Sequence, residues 1–316
     1  MKSSNRLSKV RRGIFVLFFL GLWALALGSA GLGWGHDYQL LALRFPRVIA
    51  AVVAGFALGV GGGTQQGLFR NPLADPGLTG VFGGALLGIA IIMAGGGSWV
   101  WEHTWAISLA AFLGATAISI LLVMVGGRGS TSKLLLTGLG LNAFAAAGTL
   151  IIANLFSSSR DVLLSGITGD WLGLATFSSI AWPMGLCVVA SLFLISQGRS
   201  LDQLSLGEDV AQTRGLDVNS VRRRGILFTA LAAAAATCLV GQVAFIGLIA
   251  PHFARLLIGP RHKTMLLLSG IIGAILLLLA DTLGRSAWPQ TPLSAAAMTA
   301  LLGAPVFIWI ASRHHE

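Results

Sequence analysis

The segment GILFTALAAAAATCLVGQVAFIGLIAPHFARLLIGP, residues 225–260, fixes how many times this chain crosses a membrane. It carries no Asp, Glu, Lys or Arg from 225 to 254, and past Arg255 it continues almost to Pro260. A single helix of that length would run about 52 Å at 1.5 Å per residue, against a hydrocarbon core of about 30 Å. A break near Gly241-Gln242 divides it into two crossings. Outward from this segment, charge-free runs occupy 13–35, 48–69, 76–101, 103–127, 134–159, 171–198, 264–280 and 286–312. With the break, the count is ten crossings.

Charge placement tests the break. With ten crossings and a cytoplasmic N-terminus, only Arg44, Arg47, Arg160 and Arg285 of the 21 Lys and Arg face outward. Without the break, Arg255, Arg261, Lys263 and Arg313 move outside and Arg285 moves in. Cytoplasmic loops are the ones enriched in Lys and Arg, so the broken arrangement is favoured and both termini are cytoplasmic. Lys2, Arg6, Lys9, Arg11 and Arg12 ahead of an apolar run resemble a signal peptide, but the run from 13 to 35 exceeds a signal core of about 7–15 residues. It reads as an uncleaved first helix.

Composition agrees. Hydrophobic residues make up 55% of the 316 and charged residues 10%, where a soluble domain carries about 25% charged. The expected fold is an all-α membrane protein, a polytopic bundle forming one domain over 1–316 in the bacterial cytoplasmic membrane. The net charge of +10 does not point to nucleic acid, because the cations sit between the apolar runs, where they meet anionic lipid. Cys187 and Cys238 lie inside apolar runs and read as small packing residues. There is no linker, no low-complexity segment and no clear internal repeat. Among the 42 glycines, Gly55, Gly59 and Gly63 share one helical face, and Gly270 with Ala274 repeats that spacing. Small residues four apart let helix backbones approach closely, either within one subunit or across a dimer seam.

Catalytic chemistry is sparse. GGRGSTSK at 126–133 has the ingredients of a phosphate loop in the wrong order, so ATP use requires a partner. His36, His103, His262, His314 and His315 fall in loops or the tail, and only His252 lies within a crossing. None is spaced as a metal pair, and no metal is expected. Asp281 stands inside a crossing one helical turn before Arg285, a spacing that permits an ion pair. A proton-coupled carrier would use Asp281 as its coupling site, but such carriers show several mid-membrane carboxylates. An intramembrane enzyme would need a Ser-His or paired-carboxylate site, which the crossings do not offer.

Three segments go further: QGLFRNPLADPGLTG at 66–80, LGEDVAQTRGL at 206–216, and FIGLIAPHFAR at 245–255 with LGAPVFIW at 302–309. Together they closely resemble the FecCD family, the permeases of type II ATP-binding-cassette importers for iron-siderophores, haem and vitamin B12. The resemblance runs in order from LRFPR at 43–47 to Trp309. It implies a non-catalytic subunit with ten helices, working by alternating access. The implied partners are two ATPase subunits, which bind ATP and magnesium, a periplasmic or lipid-anchored substrate-binding protein, and a second permease copy or paralogue.

The resemblance also implies roles. The inner loop at about 199–224 would couple to the ATPase through a short amphipathic helix from Ser205 to Gly215, with Leu206, Gly207, Glu208, Ala211, Gly215 and Leu216 at the contact. Arg44, Arg47 and Arg285 would dock the binding protein, since matching arginines in the vitamin B12 members pair with its glutamates. Asn71 and Leu73, with Ser130, Thr131 and Ser132, match the cytoplasmic gate. Ser130 equally suits a helix N-cap. Asn142 and Asn154 are candidates for the wall of the path. LSGITGDW at 164–171 resembles siderophore permeases more than vitamin B12 permeases, which favours a ferric siderophore as cargo.

Overall fold

The computed structural model describes residues 2–28, 31–32, 38–96, 99–100, 103–126, 131–156, 172, 175–287 and 293–313. They are almost entirely helical: α1 (Lys2–Ala26), α2 (Tyr38–Phe69), α3 (Val81–Gly95), α4 (Thr104–Gly126), α5 (Thr131–Leu155), α6 (Phe177–Ser196), α7 (Gly198–Leu204), α8 (Glu208–Thr213), α9 (Val218–Val240), α10 (Ile246–Ile258), α11 (His262–Ala287) and α12 (Ala295–Arg313). A 3-10 turn spans Pro76–Thr79, and the antiparallel pair β1 (Leu27–Gly28) and β2 (Gly31–Leu32) follows α1.

Among the described residues six helices are long and apolar enough to cross a membrane, α2, α4, α5, α6, α9 and α11, and α3, α10 and α12 are shorter apolar helices. The break expected at Gly241 is present. Gly241 adopts φ 73°, and its N–H bonds the Thr237 carbonyl to close α9. Only glycine takes such a φ without steric penalty. The chain restarts at α10 through Phe245, which itself holds φ 67°.

The core is α2 laid against α11, with α9 and α10 alongside. Backbone meets backbone there. A β-carbon on Gly55 would stand 2.5 Å from the Gly273 carbonyl oxygen, and one on Gly62 would overlap the Gly247 carbonyl oxygen. Ser269 Oγ adds a 2.6 Å bond to the Gly59 carbonyl. The glycine stripe therefore packs two helices of one subunit together. A second seam that the sequence reading missed joins Gly84 and Gly88 of α3 to Ala110 and Gly114 of α4. Packing at such close range substitutes for the hydrophobic drive that lipid removes. Ala232–Ala236 of α9 are buried for the same reason. Both cysteines are free and buried, with Cys238 Sγ bonded to the Ser108 carbonyl at 3.1 Å.

The run 76–101 is not one uninterrupted helix. Asp75 caps the 3-10 turn by accepting from Gly77 N–H at 3.1 Å, and α3 begins only at Val81. Pro76 lies beside Gly61 and Gly247, and Gly247 in turn lies beside the Leu58 carbonyl, midway along α2. The segment after α2 thus folds back into the bundle, placing the Asp75 carboxylate at mid-bundle depth.

Candidate functional site: two polar ends of one bundle

α2 and α11 run side by side, so their ends define two poles. At one pole are Arg44 and Arg47 of α2 with Asp281 and Arg285 of α11. At the other are Gly67 of α2 and His262 of α11.

At the first pole, Asp281 is fully buried. Its main partner is Arg47, whose Nη2 donates to Oδ1 at 2.6 Å and whose Nε donates at 3.0 and 3.2 Å. Arg285 completes the cluster with an ion-pair contact at 3.5 Å. This revises the expected pairing: the i,i+4 neighbour is present, but a residue 234 positions away makes the shorter bonds. Arg285 Nη2 donates to the Ala24 carbonyl at 2.5 Å, and Arg44 Nη1 to the Leu25 and Ala26 carbonyls at 3.1 and 3.3 Å. These carbonyls end α1 and lack intrahelical partners, and cations are favoured at that end. Arg285, at 5% exposure, is buried rather than presented for docking. Arg44 and Arg47 remain partly exposed. Among the described residues, this cluster sets one carboxylate against three guanidiniums and is net positive.

At the second pole the helix expected from Ser205 to Gly215 is present as the shorter α8, which α7 precedes and a turn at Gly207 with φ 123° introduces. Glu208 opens α8 and meets a basic partner within this chain, Arg222 of α9, at 2.6 Å. Ala211 is fully buried and its carbonyl accepts from Leu216 N–H at 3.0 Å, so it packs inward instead of offering a contact surface. Gly215 has φ 80° and turns the chain back. The exposed apolar groups are Leu206 and Val210, at 56% and 42%. Val210 escaped the sequence reading, although it stands one turn beyond Leu206.

The gate segment follows directly from α2. Arg70 closes the helix at φ 47°. Asn71 Oδ1 accepts from Leu73 N–H at 2.9 Å, and its carbonyl accepts from Ala74 N–H at 3.1 Å. Asn71 thus builds a turn that orients Leu73, which is half-buried. Ser130 lies outside the described residues. Thr131 and Ser132 begin α5, with side chains outside them, as does the 164–171 segment. The two candidate wall residues divide. Asn142 Oδ1 accepts from Gly83 N–H at 3.0 Å and so caps α3 from a neighbouring helix. Asn154 is exposed and bonds its own helix at the Leu150 carbonyl. α5 packs on α3 along one side and exposes Leu136, Phe144, Ile151 and Leu155 along the other.

Gln66 ties α2 to α10. Its Nε2 donates to the Leu248 carbonyl at 3.2 Å, and its Oε1 accepts from Arg255. His252 is half-buried beside Phe253. Among the described residues there is no cluster of three His, Cys, Asp or Glu able to hold a metal.

The fold is shared with a known structure. A solved structure titled as a metal-chelate type ABC transporter in an inward-facing conformation superposes with a TM-score of 0.86 over 97% of this chain and 99% of that one, at 23% identity. The hemin transport system permease protein HmuU of Yersinia pestis is 34% identical, over 96% of this chain and 95% of its own length. The vitamin B12 import system permease protein BtuC of Vibrio cholerae is 37% identical over 100% and 95%. The Fe(3+)-citrate import system permease protein YfmE of Bacillus subtilis is 35% identical over 96% and 90%. The FecCD transport family matches residues 16–313, and the chain belongs to that family.

Proposed function

We propose that this chain is the permease subunit of an ATP-driven importer, carrying a ferric siderophore or a similar bulky metal chelate into the cytoplasm by alternating access. The observation that carries this reading is the pairing of a positive pole at one end of the α2–α11 core with a rigid, apolar-tipped helix pair at the other. The first suits the acidic surface of a substrate-binding protein, met by Arg44 and Arg47. The second suits a cleft in an ATPase, entered by Leu206 and Val210. Relatives matched over nearly their whole length, named as permeases for hemin, vitamin B12 and Fe(3+)-citrate, support the same reading.

In this reading the chain crosses the cytoplasmic membrane ten times, by α1, α2, α3, α4, α5, α6, α9, α10, α11 and α12, with both termini inside. Two such subunits meet through exposed faces such as that of α5. Two ATPase subunits bind ATP and magnesium, and this chain catalyses nothing itself. Asn71 and Leu73 serve the inner gate. Haem or cobalamin is the alternative cargo, favoured by relatives of nearly equal identity. A proton-coupled carrier is disfavoured, because Asp281 is committed to two guanidiniums.

The test is uptake of labelled ferric siderophore, hemin and cobalamin in cells with and without this chain. Each assay is repeated with a partner ATPase unable to hydrolyse ATP. Uptake of one ligand that needs both supports the reading and names the cargo. Uptake that survives loss of hydrolysis but stops with an uncoupler overturns it.

A further inference from the structure

The bond between Asp202 and His262 has no part in docking or gating as described so far, yet it sits where those parts meet. Asp202 belongs to α7. One of its oxygens, Oδ1, accepts from two donors of the first residue of α11: the His262 backbone N–H at 2.8 Å and the ring Nδ1–H at 2.8 Å. It thereby caps α11 from another helix. The fit around it is tight. A β-carbon on Gly198 would stand 2.7 Å from the Lys263 Cα, and one on Gly67 would stand 2.7 Å from His262 Nε2. Leu201 and Leu204, on the buried side of α7, are fully enclosed.

This junction lies between the two moving parts. On one side, α7 continues into Leu206 and Gly207 through bonds to the Gln203 and Leu204 carbonyls at 3.1 and 3.2 Å. The connection from α7 to α8 is thus hydrogen-bonded at Ser205, Leu206 and Gly207 in succession. On the other side, the His262 ring rests on Gly67, three residues before Arg70, where α2 ends and the gate turn begins. We propose that Asp202 and His262 are positioning residues for transport, their hydrogen bond carrying displacement of the α8 surface into the end of α2 and so into the Asn71-Pro72-Leu73 turn. The inference rests on the importer reading and names the contact through which that reading operates.

The junction transmits force in both directions because its members are held at both ends. Ring and backbone of His262 bond one oxygen, so α7 cannot rotate without either leaving α11 uncapped or pulling it along. A contact that merely stabilised the fold would lower the amount of assembled transporter. A transmitting contact changes how much cargo moves per ATP.

The experiment uses the complete transporter, with its ATPase subunits and binding protein, in proteoliposomes. ATP hydrolysis is measured together with uptake of whichever of labelled ferric siderophore, hemin and cobalamin the wild type carries. His262→Ala breaks the ring bond and leaves the backbone cap. Its hydrolysis is expected to persist while uptake per ATP falls about fivefold or more, the scale of an ordinary coupling free energy. His262→Asn, whose amide N–H replaces Nδ1–H, should restore the ratio. If His262→Ala fails to assemble, Asp202→Asn is read instead. Its amide oxygen still caps α11, but the ring bond loses its charge, so the ratio should fall about twofold. An unchanged ratio, or no recovery in His262→Asn, overturns the inference. Wild-type uptake that ignores ATP overturns the importer reading itself, whatever the variants do.

Discussion

Asp281→Asn tests the positive pole most directly. The substitution keeps side-chain volume and removes the charge shared by Arg47 and Arg285. Arg47 then loses a carboxylate met through bonds of 2.6, 3.0 and 3.2 Å, and Arg285 loses its 3.5 Å contact. The two guanidiniums, with side-chain exposures of 19% and 7%, are left facing each other. Removing one partner of a buried ion pair costs about 3–5 kcal/mol, and the exposed edge of Arg47 places this case near 3 kcal/mol. At about 2.1 cal/mol/K of unfolding entropy per residue, each kcal/mol moves the Tm of a chain this long by about 1.5 °C, so a fall of about 4–5 °C is expected. The assay is thermal unfolding of the detergent-solubilised permease, followed by tryptophan fluorescence. Arg47→Gln added to Asp281→Asn should recover part of the loss, because it removes one of the stranded charges. A Tm within about 2 °C of wild type for Asp281→Asn would refute the assignment of Asp281 as the anchor of this pole.

Three further outcomes are expected. Gly62→Ala places a methyl group on the Gly247 carbonyl and should cost about 1–3 kcal/mol or more by overpacking, read as lower yield and lower Tm of the purified subunit, whereas Gly95→Ala, which meets nothing, should leave both unchanged. Asn142→Ala removes the cap on Gly83 N–H and should cost about 1 kcal/mol of stability in the same assay, with Asn142→Asp largely tolerated. Arg44→Glu should weaken docking of the binding protein about tenfold or more at low salt, with the gap narrowing as salt rises, and unchanged affinity at low salt would remove Arg44 from the docking surface.

Much of the fold could be read from charge and length alone. The break at Gly241 follows from a run too long for one crossing, and the intrasubunit role of Gly55 and Gly59 was one of two readings their spacing allowed. The re-entrant turn at Asp75 was not legible. It depends on Pro76 entering space that Gly61 and Gly247 leave open, and those glycines lie on two other helices. The pole at Asp281 was half legible. Its i,i+4 partner is local and visible, while Arg47 is 234 positions away and comes close only because α2 and α11 pack along their lengths. Similarly, it was the family resemblance that made Glu208 and Ala211 contact residues. Arg222 and the chain's own interior claim them once α8 folds back on α9. Val210, exposed and unassigned in the sequence, emerged only when the bounds of α8 fixed which face points out.

The seam between α2 and α11 has a mutational consequence. Where carbonyl oxygens face glycine α-carbons on both sides, every possible replacement is larger than what it replaces. A core built of side chains can exchange volume between neighbours and drift through compensating pairs, but this seam has no smaller residue with which to compensate. Changes at Gly55, Gly59 or Gly273 are therefore one-sided: each pushes the helices apart, and a second substitution cannot draw them back. The loops and lipid-facing sides can change freely around an axis that has nowhere to go.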